Sequence, residues 1–362
     1  MLSLIIIIWV IFNILSGGYI LRAENIANLF RQVTVVAVLA CGMTLIIVSG
    51  HIDLSVGSAL GMFGALAASM ITQMKLDPYF SVATVLLIGF LVGCGHGALV
   101  HYFNIPAFVV TLGGLIAYRG VTQYIARQSI AIRVEWIKAI AQGTVPNWFS
   151  IVLMAAALVI IAAAILRMRA NHRKAGLAIH PMWIDIIKYI FSAAIIIVLT
   201  VVLIQGEGVP VQVVILLVAA TIFSIGARMT PFGHYVYAVG GNRQAAHYSG
   251  ISIARNTIGI FGLMGFLSAL AGIITISELS SAAPDIGDLK ELETIAACVI
   301  GGTSLMGGSG AIGLSVLGAL IMASIKNGMS MMGIVAQMQK VILGSVLVIA
   351  VALDQWSRRL KK

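Results

Sequence analysis

Apolar stretches of membrane-crossing length follow one another along this chain, and the lysines and arginines collect in the short connections between them. The runs are Leu2–Leu15, Val33–Ser49, Leu54–Ile71, Phe80–Val100, Ala107–Ala117, Phe149–Leu166, Tyr189–Ile204, Val211–Ile225, Ile258–Ile276, Ile295–Met306, Ile312–Ile325 and Val341–Leu353. A backbone in hydrocarbon must satisfy its own polar groups, so each run predicts a helix. The alternating strands of about ten residues that a membrane barrel needs are absent. The expected fold is therefore an all-α polytopic transmembrane bundle of about twelve spans, forming one domain over residues 1–362.

Composition agrees. The chain is 60% hydrophobic and 9% charged, where a soluble domain carries about 25% charged residues. Its formal net charge is +10. Because the cations sit in short clusters between apolar runs, we read that charge as membrane topology rather than nucleic-acid binding. The stretch 167–188 holds five Lys or Arg against one Asp, the tail 354–362 holds four, and 227–256 holds Arg228, Arg243 and Arg255 with no acid. The stretch 277–293 holds five acids and one Lys. The first three are expected inside and the last outside. Counting spans puts Arg22, Arg31, Arg119, Arg127, Arg133 and Lys138 outside, against the usual bias.

The N-terminus lacks a basic region and a small-residue cleavage site, so no cleaved signal peptide is expected. Its first apolar run is short for a crossing of about 20 residues. Either its flanks complete it or the chain begins further upstream. Cys41, Cys94 and Cys298 lie far apart in apolar segments, without metal or disulfide spacing, and read as small core residues. No metal and no cofactor is expected. In GGTSLMGGSG (301–310), Gly308 stands where a phosphate-binding loop needs lysine, so no nucleotide site is read there. An energy source beyond an ion gradient must sit on another chain, and this chain is expected to catalyse nothing.

Two stretches carry functional signal. In GHIDLSVGSALG (50–61), Asp53 is one of the chain's twelve acidic residues and sits between two apolar runs. A carboxylate at that depth is expensive. It can cap the helix beginning near Leu54, ligate a polar substrate or relay a proton, and capping is the chemistry most at home at a helix start. Ser55 and Ser58 are then first-turn hydroxyls. His51 and His96 read as packing or hydrogen-bonded residues. Gly57, Gly61 and Gly64 recur at the spacing that brings helices close. The short runs Ala107–Ala117 and Ile295–Met306 fit broken helices beside a cavity. The second stretch is PFGHYVYAVGGNRQAAHYSGISI (231–253), in which QAAHYSGI predicts a short helix between Gly241 and Gly250, anchored by Tyr235, Tyr237 and Tyr248. Such a helix offers a docking surface to a soluble partner.

With these pieces in view, the chain resembles the permease subunits of bacterial ATP-binding-cassette (ABC) sugar importers of the ribose, xylose and arabinose type. The likeness runs through GHIDLSVGS (50–58), IPAFVVTLGGL (105–115), YAVGGNRQAAHYSGI (237–251), LETIAACVIGGTSLMGG (292–308) and IMASIKNGMSMMG (321–333). Within that group it is most similar to xylose permeases, and 149–204 looks like the helical hairpin they add to a ten-helix core. His51 and His96 depart from the residues usual at their positions. The resemblance implies an inner-membrane permease that moves a monosaccharide, with a pentose such as xylose expected. QAAHYSG follows the E-A-A-x-x-x-G spacing of coupling loops, with Gln244 in the acidic position. Asn242, Arg243, Gln244, Ala245, Ala246 and Gly250 are therefore expected to dock on the ATPase. The implied partners are two cytoplasmic ATPase subunits, a periplasmic sugar-binding protein, a second copy of the permease and membrane lipid. Asp53, Ser55, Ser58, Thr111 and Asn327 are the expected pathway residues. The alternative is an ion-coupled secondary sugar transporter that acts alone.

Overall fold

The computed structural model describes residues 1–176, 181–206 and 208–359, with side chains described as far as residue 352. Residues 177–180 of the basic stretch 167–188, and the side chains of the basic tail, lie outside the described residues. Among those described, eleven of the twelve apolar runs are helical over most of their length, and the other, Ile295–Met306, begins within a helix and leaves it at Ile300. The bundle comprises α1 (Leu2–Leu15), α2 (Ala23–Val48), α3 (Val56–Thr72), α4 (Pro78–Tyr102), α5 (Ala107–Ile125), α7 (Asn147–Lys174), α8 (Met182–Gln205) and α9 (Val211–Met229). It continues with α12 (Ile253–Leu279), α13 (Lys290–Ile300), α14 (Ile312–Met331) and α15 (Ala336–Arg359). Three shorter helices fill connections: α6 (Glu135–Gln142), α10 (Pro231–Gly241) and α11 (Arg243–Tyr248). The strands β1 (Ile130–Ala131) and β2 (Ser281–Ala282) pair antiparallel, Ile130 opposite Ala282.

Among the described residues, seven helices are long and apolar enough to cross a bilayer: α2, α4, α7, α8, α9, α12 and α14. The centre of the bundle is α2, whose residues from Val33 to Ser49 are all buried, against α9, α12, α13 and α14. Around it, α4 and α12 pack closely along small residues. Gly89, Gly93 and Gly97 recur every four residues on α4, and a Cβ at Gly97 would lie 2.6 Å from the Ile258 Cα of α12. The stripe Gly57–Gly61–Gly64 divides its work. Gly64 faces Ile276 and Gly272 of α12, whereas Gly57 and Gly61 face the segment 286–291. By contrast α7 and α8 are exposed along most of their length and pair mainly with each other at the rim. Cys41 and Cys298 are buried and Cys94 half-buried, all three as free thiols.

Two expectations about broken helices part company. The run Ile295–Met306 does break: α13 stops at Ile300, and the chain crosses 301–311 without helix, with positive φ at Gly302, Gly307 and Gly308. The run Ala107–Ala117 does not. It opens a continuous α5 of 19 residues that carries on through Tyr118, Arg119 and Gln123. Hydropathy faded there because polar side chains entered, not because the backbone changed.

The bundle has two ends, separated by the 27 residues of α12, or about 40 Å at 1.5 Å per residue. At one end lie α10, α11, the close of α2 and the loop 301–311. At the other lie the β1–β2 pair, α6 and the acidic stretch that leads into α13. The Ala141 N–H donates to Ser277 Oγ across that second end at 2.9 Å, seating α6 on α12.

Candidate functional site

The turn that carries Asp53 is compact. Helix α2 closes at Val48, Gly50 takes φ +82° and its neighbour His51 returns its N–H to Ile46 O at 3.0 Å. Asp53 is buried, and its Oδ1 accepts both the Ser55 N–H (2.8 Å) and the Ser55 hydroxyl (2.6 Å). The N-cap of α3 is Ser55, not Asp53, so the capping expectation is displaced by two residues. Asp53 fixes the cap residue and thereby the entry of the helix. Ser58 Oγ donates to Ser55 O at 2.8 Å, and Thr111 Oγ1 donates to Ala107 O at 2.9 Å with Ile52 O nearby at 3.4 Å. Beside them His96 Nε2 pairs with the Tyr118 hydroxyl at 2.6 Å. Four of the five expected pathway residues thus come together, but their hydroxyls and the Asp53 Oδ1 are already engaged inside the fold.

Asn327 stands apart, toward the acidic end. It and Asn25 form a reciprocal amide pair, each Nδ2 donating to the other's Oδ1 at 3.0 Å, and Asn25 also donates to Ile20 O. This pair joins α14 to α2 and borders a cavity of about 450 Å³ with Asn28, Arg31, Gln32, Gln142 and Glu278. A second cavity of about 340 Å³ opens between α2, α12, α13 and α14, lined by Gln32, Thr275, Glu278, Lys290, Glu293 and Lys326 among others. Gln32 and Glu278 belong to both, so the two cavities meet at these side chains. Glu293 binds Lys290 Nζ at 2.7 Å and Lys326 Nζ at 2.8 Å.

Sequence reasoning missed these last residues. Glu278, Lys290 and Glu293 enter the sequence reading only as charges of an outside stretch, and Lys326, in the apolar IMASIKNGMSMMG, does not enter it as a site. That lone cation was the available signal, since an intramembrane lysine needs a partner or a cavity.

The expected coupling segment forms a separate surface at the other end. The Asn242 side chain accepts the Ala245 N–H at 2.9 Å and starts α11, which ends before Gly250 at φ +80°. Arg243, Gln244 and Ala245 are exposed, as are Asn242 and Gly250, while Ala246 is buried against Val239, Ile251 and Ile253. One apolar side chain therefore seats the helix and the rest faces outward. Tyr237 is the real anchor, its hydroxyl donating to Gly310 O at 2.9 Å. Tyr235 and Tyr248 stand exposed instead. Behind α11, Gly240 packs so tightly on Val48 that any Cβ would strike the Val48 carbonyl, and the Gly308 N–H donates to that same carbonyl at 2.8 Å. Arg243 borders a cavity of about 380 Å³ with His51, Ile52 and the α4–α5 connection.

Comparison with known proteins places the chain among transport permeases. The family described as branched-chain amino acid transport system / permease component matches residues 25–351. The xylose transport system permease protein of Escherichia coli K12 is 35% identical over 360 residues, covering 99% of this chain and 92% of its own length. Its Haemophilus influenzae counterpart is 34% identical, covering 99% and 96%. The ribose import permease protein of Haemophilus influenzae is 32% identical over 333 residues, covering 92% and 85%. No solved structure matches the chain.

Proposed function

From the premise that the chain belongs to this family of membrane permease components, we propose that it is the membrane-spanning subunit of an ABC importer for a pentose, with xylose the first choice. The observation that carries this reading is the identity of 35% running across 99% of the chain to a permease named for xylose, against 32% across 92% for one named for ribose. In this reading Asn242, Arg243, Gln244, Ala245, Ala246 and Gly250 enter a groove on a cytoplasmic ATPase. The exposure of α11 and its single buried Ala246 support that role. A periplasmic sugar-binding protein delivers its cargo to the acidic end. Two copies of the permease, each offering one α11, serve an ATPase dimer. Lipid covers α7 and α8, the hairpin within 149–204 that supplements the core.

The route of the sugar is better supported at the acidic end than at the Asp53 turn. Asn327 borders a cavity there, whereas Asp53, Ser55, Ser58 and Thr111 hold the α2–α3 and α5 backbones in place. A neutral sugar asks for hydrogen bonds rather than a fixed charge. At Asp53 the geometry does not favour the ion-coupled alternative: the oxygen that meets Ser55 is already committed to two donors.

The test is uptake of labelled xylose, ribose and arabinose in cells without their own pentose transporters, with this chain alone and with its ATPase and binding protein. Uptake in the full set alone, strongest for xylose, is the expected result. Uptake by the chain alone that stops when the proton gradient is collapsed would overturn it. Gly250→Asp, which removes the glycine at φ +80°, should leave the protein in the membrane and stop transport.

A further inference from the structure

We propose that the junction of the two cavities at the acidic end, where Glu278 faces Gln32 beside Thr275, is a polyol-binding site through which the sugar passes. This rests on the sugar reading above and adds to it the groups that touch the substrate.

The polar groups at this junction differ in how much hydrogen-bonding capacity they have left. Glu278 is half-buried on the last turn of α12 and borders both cavities. Among the described residues it has no hydrogen-bond or ion-pair partner. Lys290 and Lys326 line one of these cavities with it, and Arg31 lines the other. Yet both lysines direct their ammonium groups to Glu293, at 2.7 and 2.8 Å. Glu278 thus borders both cavities with its carboxyl oxygens left to accept. Gln32 brings a carboxamide, one acceptor and two donors, with no partner among the described residues. Thr275 Oγ1 donates to Ala271 O at 2.7 Å and keeps its lone pairs.

Those groups suit neighbouring hydroxyls. Each hydroxyl of a diol donates one hydrogen, and a carboxylate can accept two such hydrogens side by side, in the manner of its bidentate pairing with a guanidinium. The carboxamide and the threonine oxygen meet the next hydroxyl, one donating and one accepting. A free cation is disfavoured because three basic side chains already surround the two carboxylates. A free anion is disfavoured because Glu278 and Glu293 face the same space. The smaller cavity, about 340 Å³, lies within the range of about 300–1,000 Å³ of small-molecule sites. Few contacts and a wet, open neighbourhood keep the hold weak, as a site on a transport route requires.

The test uses the full complex in proteoliposomes: permease, ATPase and binding protein, with xylose inside the assay and a charged thiol reagent as the probe. Glu278→Gln should lower xylose moved per ATP hydrolysed about tenfold, the loss of one charge-assisted hydrogen bond, while ATP hydrolysis itself continues. Glu278→Asp should recover part of it. In a Gln32→Cys permease, high xylose should slow labelling of the new thiol, and adding Glu278→Gln should abolish that protection. Asp53→Asn, outside the proposed site, should transport normally. Unmodified complex that moves xylose, combined with normal transport by Glu278→Gln or with protection indifferent to Glu278, would overturn this site and leave the sugar reading intact. Unmodified complex that moves no pentose would overturn both. Should Glu278→Gln fail to fold, Gln32→Leu takes its place in the transport arm, and normal xylose transport per ATP by that variant would equally overturn the site.

Discussion

Asp53 and Glu278 are both carboxylates inside an apolar bundle, and they differ in what their oxygens have left to do. Asp53 is buried, and one of its oxygens takes two hydrogens from Ser55. Glu278 borders two cavities with its oxygens unengaged among the described residues. The first acid is an element of construction, and the second is available for chemistry. An acid in an apolar sequence marks an expense. Only the disposition of its acceptors tells whether that expense supports the fold or a ligand. The two ends of the molecule repeat the contrast. Behind α11 glycine packs against carbonyl, as at Gly240 and Val48, and the cavity beside Arg243 lies to the side of that contact, whereas the acidic end holds its space between charged and amide side chains.

The largest expected effect breaks the packing behind α11. Gly240→Val drives a branched side chain into the Val48 carbonyl and toward the Gly308 N–H, so α11 can no longer sit on the close of α2. Uptake should fall to background while the protein remains in the membrane. Gly241→Ala, at the next position, meets nothing within 4 Å and should transport normally. Equal behaviour of the two variants in a labelled-sugar uptake assay would mean that the tight packing behind α11 carries no coupling.

Asp53→Ala comes next and acts on stability. It removes the acceptor of two Ser55 donors, and one hydrogen bond to a charged group is worth about 1.5–3 kcal/mol. The expected loss is about 3 kcal/mol, read as a lower melting temperature in detergent, with unchanged transport per folded molecule. Asp53→Asn keeps an acceptor for the Ser55 N–H and should cost under about 1 kcal/mol. A transport defect in Asp53→Asn at normal stability would place Asp53 with Glu278 rather than opposite it.

How much of this was legible beforehand follows from which forces are local. The helices are legible because hydropathy and backbone satisfaction act within a segment, and α11 because Asn242 and Gly250 bracket it with cap and left-handed turn. The run Ala107–Ala117 misled because hydropathy measures the side chains, and α5 continues through Tyr118 and Arg119, whose guanidinium donates to Ile286 O at 3.0 Å. Asp53 was visible but its partner Ser55, two residues on, gave it a different place in the cap. Glu278 was invisible as a site. Its distinction lies in the commitment of Lys290 and Lys326 to Glu293, which joins the start of α13 to α14 across 33 residues of chain.

Two smaller effects sharpen the contrast. Tyr118→Phe deletes the hydroxyl that meets His96 Nε2 at 2.6 Å while keeping the ring stacked on the imidazole, with centroids 5.6 Å apart. One neutral hydrogen bond contributes about 1 kcal/mol, so a small drop in melting temperature and normal uptake are expected. A large uptake defect would reveal a proton route through His96.

Least of all should be Asp185→Asn, which breaks the ion pair from Arg169 that ties α7 to α8. The Asp185 side chain is 8% exposed but that of Arg169 is 24% exposed, and the hairpin itself stands at the rim of the bundle. Solvent near the helix ends screens the pair, so its loss should cost about 1 kcal/mol or less. Because α7 and α8 border neither acidic-end cavity, the sugar moved per ATP should not change at all. Limited proteolysis at the α7–α8 connection, run beside the uptake assay, separates the outcomes. Faster cleavage with normal uptake fits a hairpin that supplements the core from outside. Lost uptake would mean that the rim transmits strain to the acidic end, and the division between a built frame and an open site would have to be redrawn to include it.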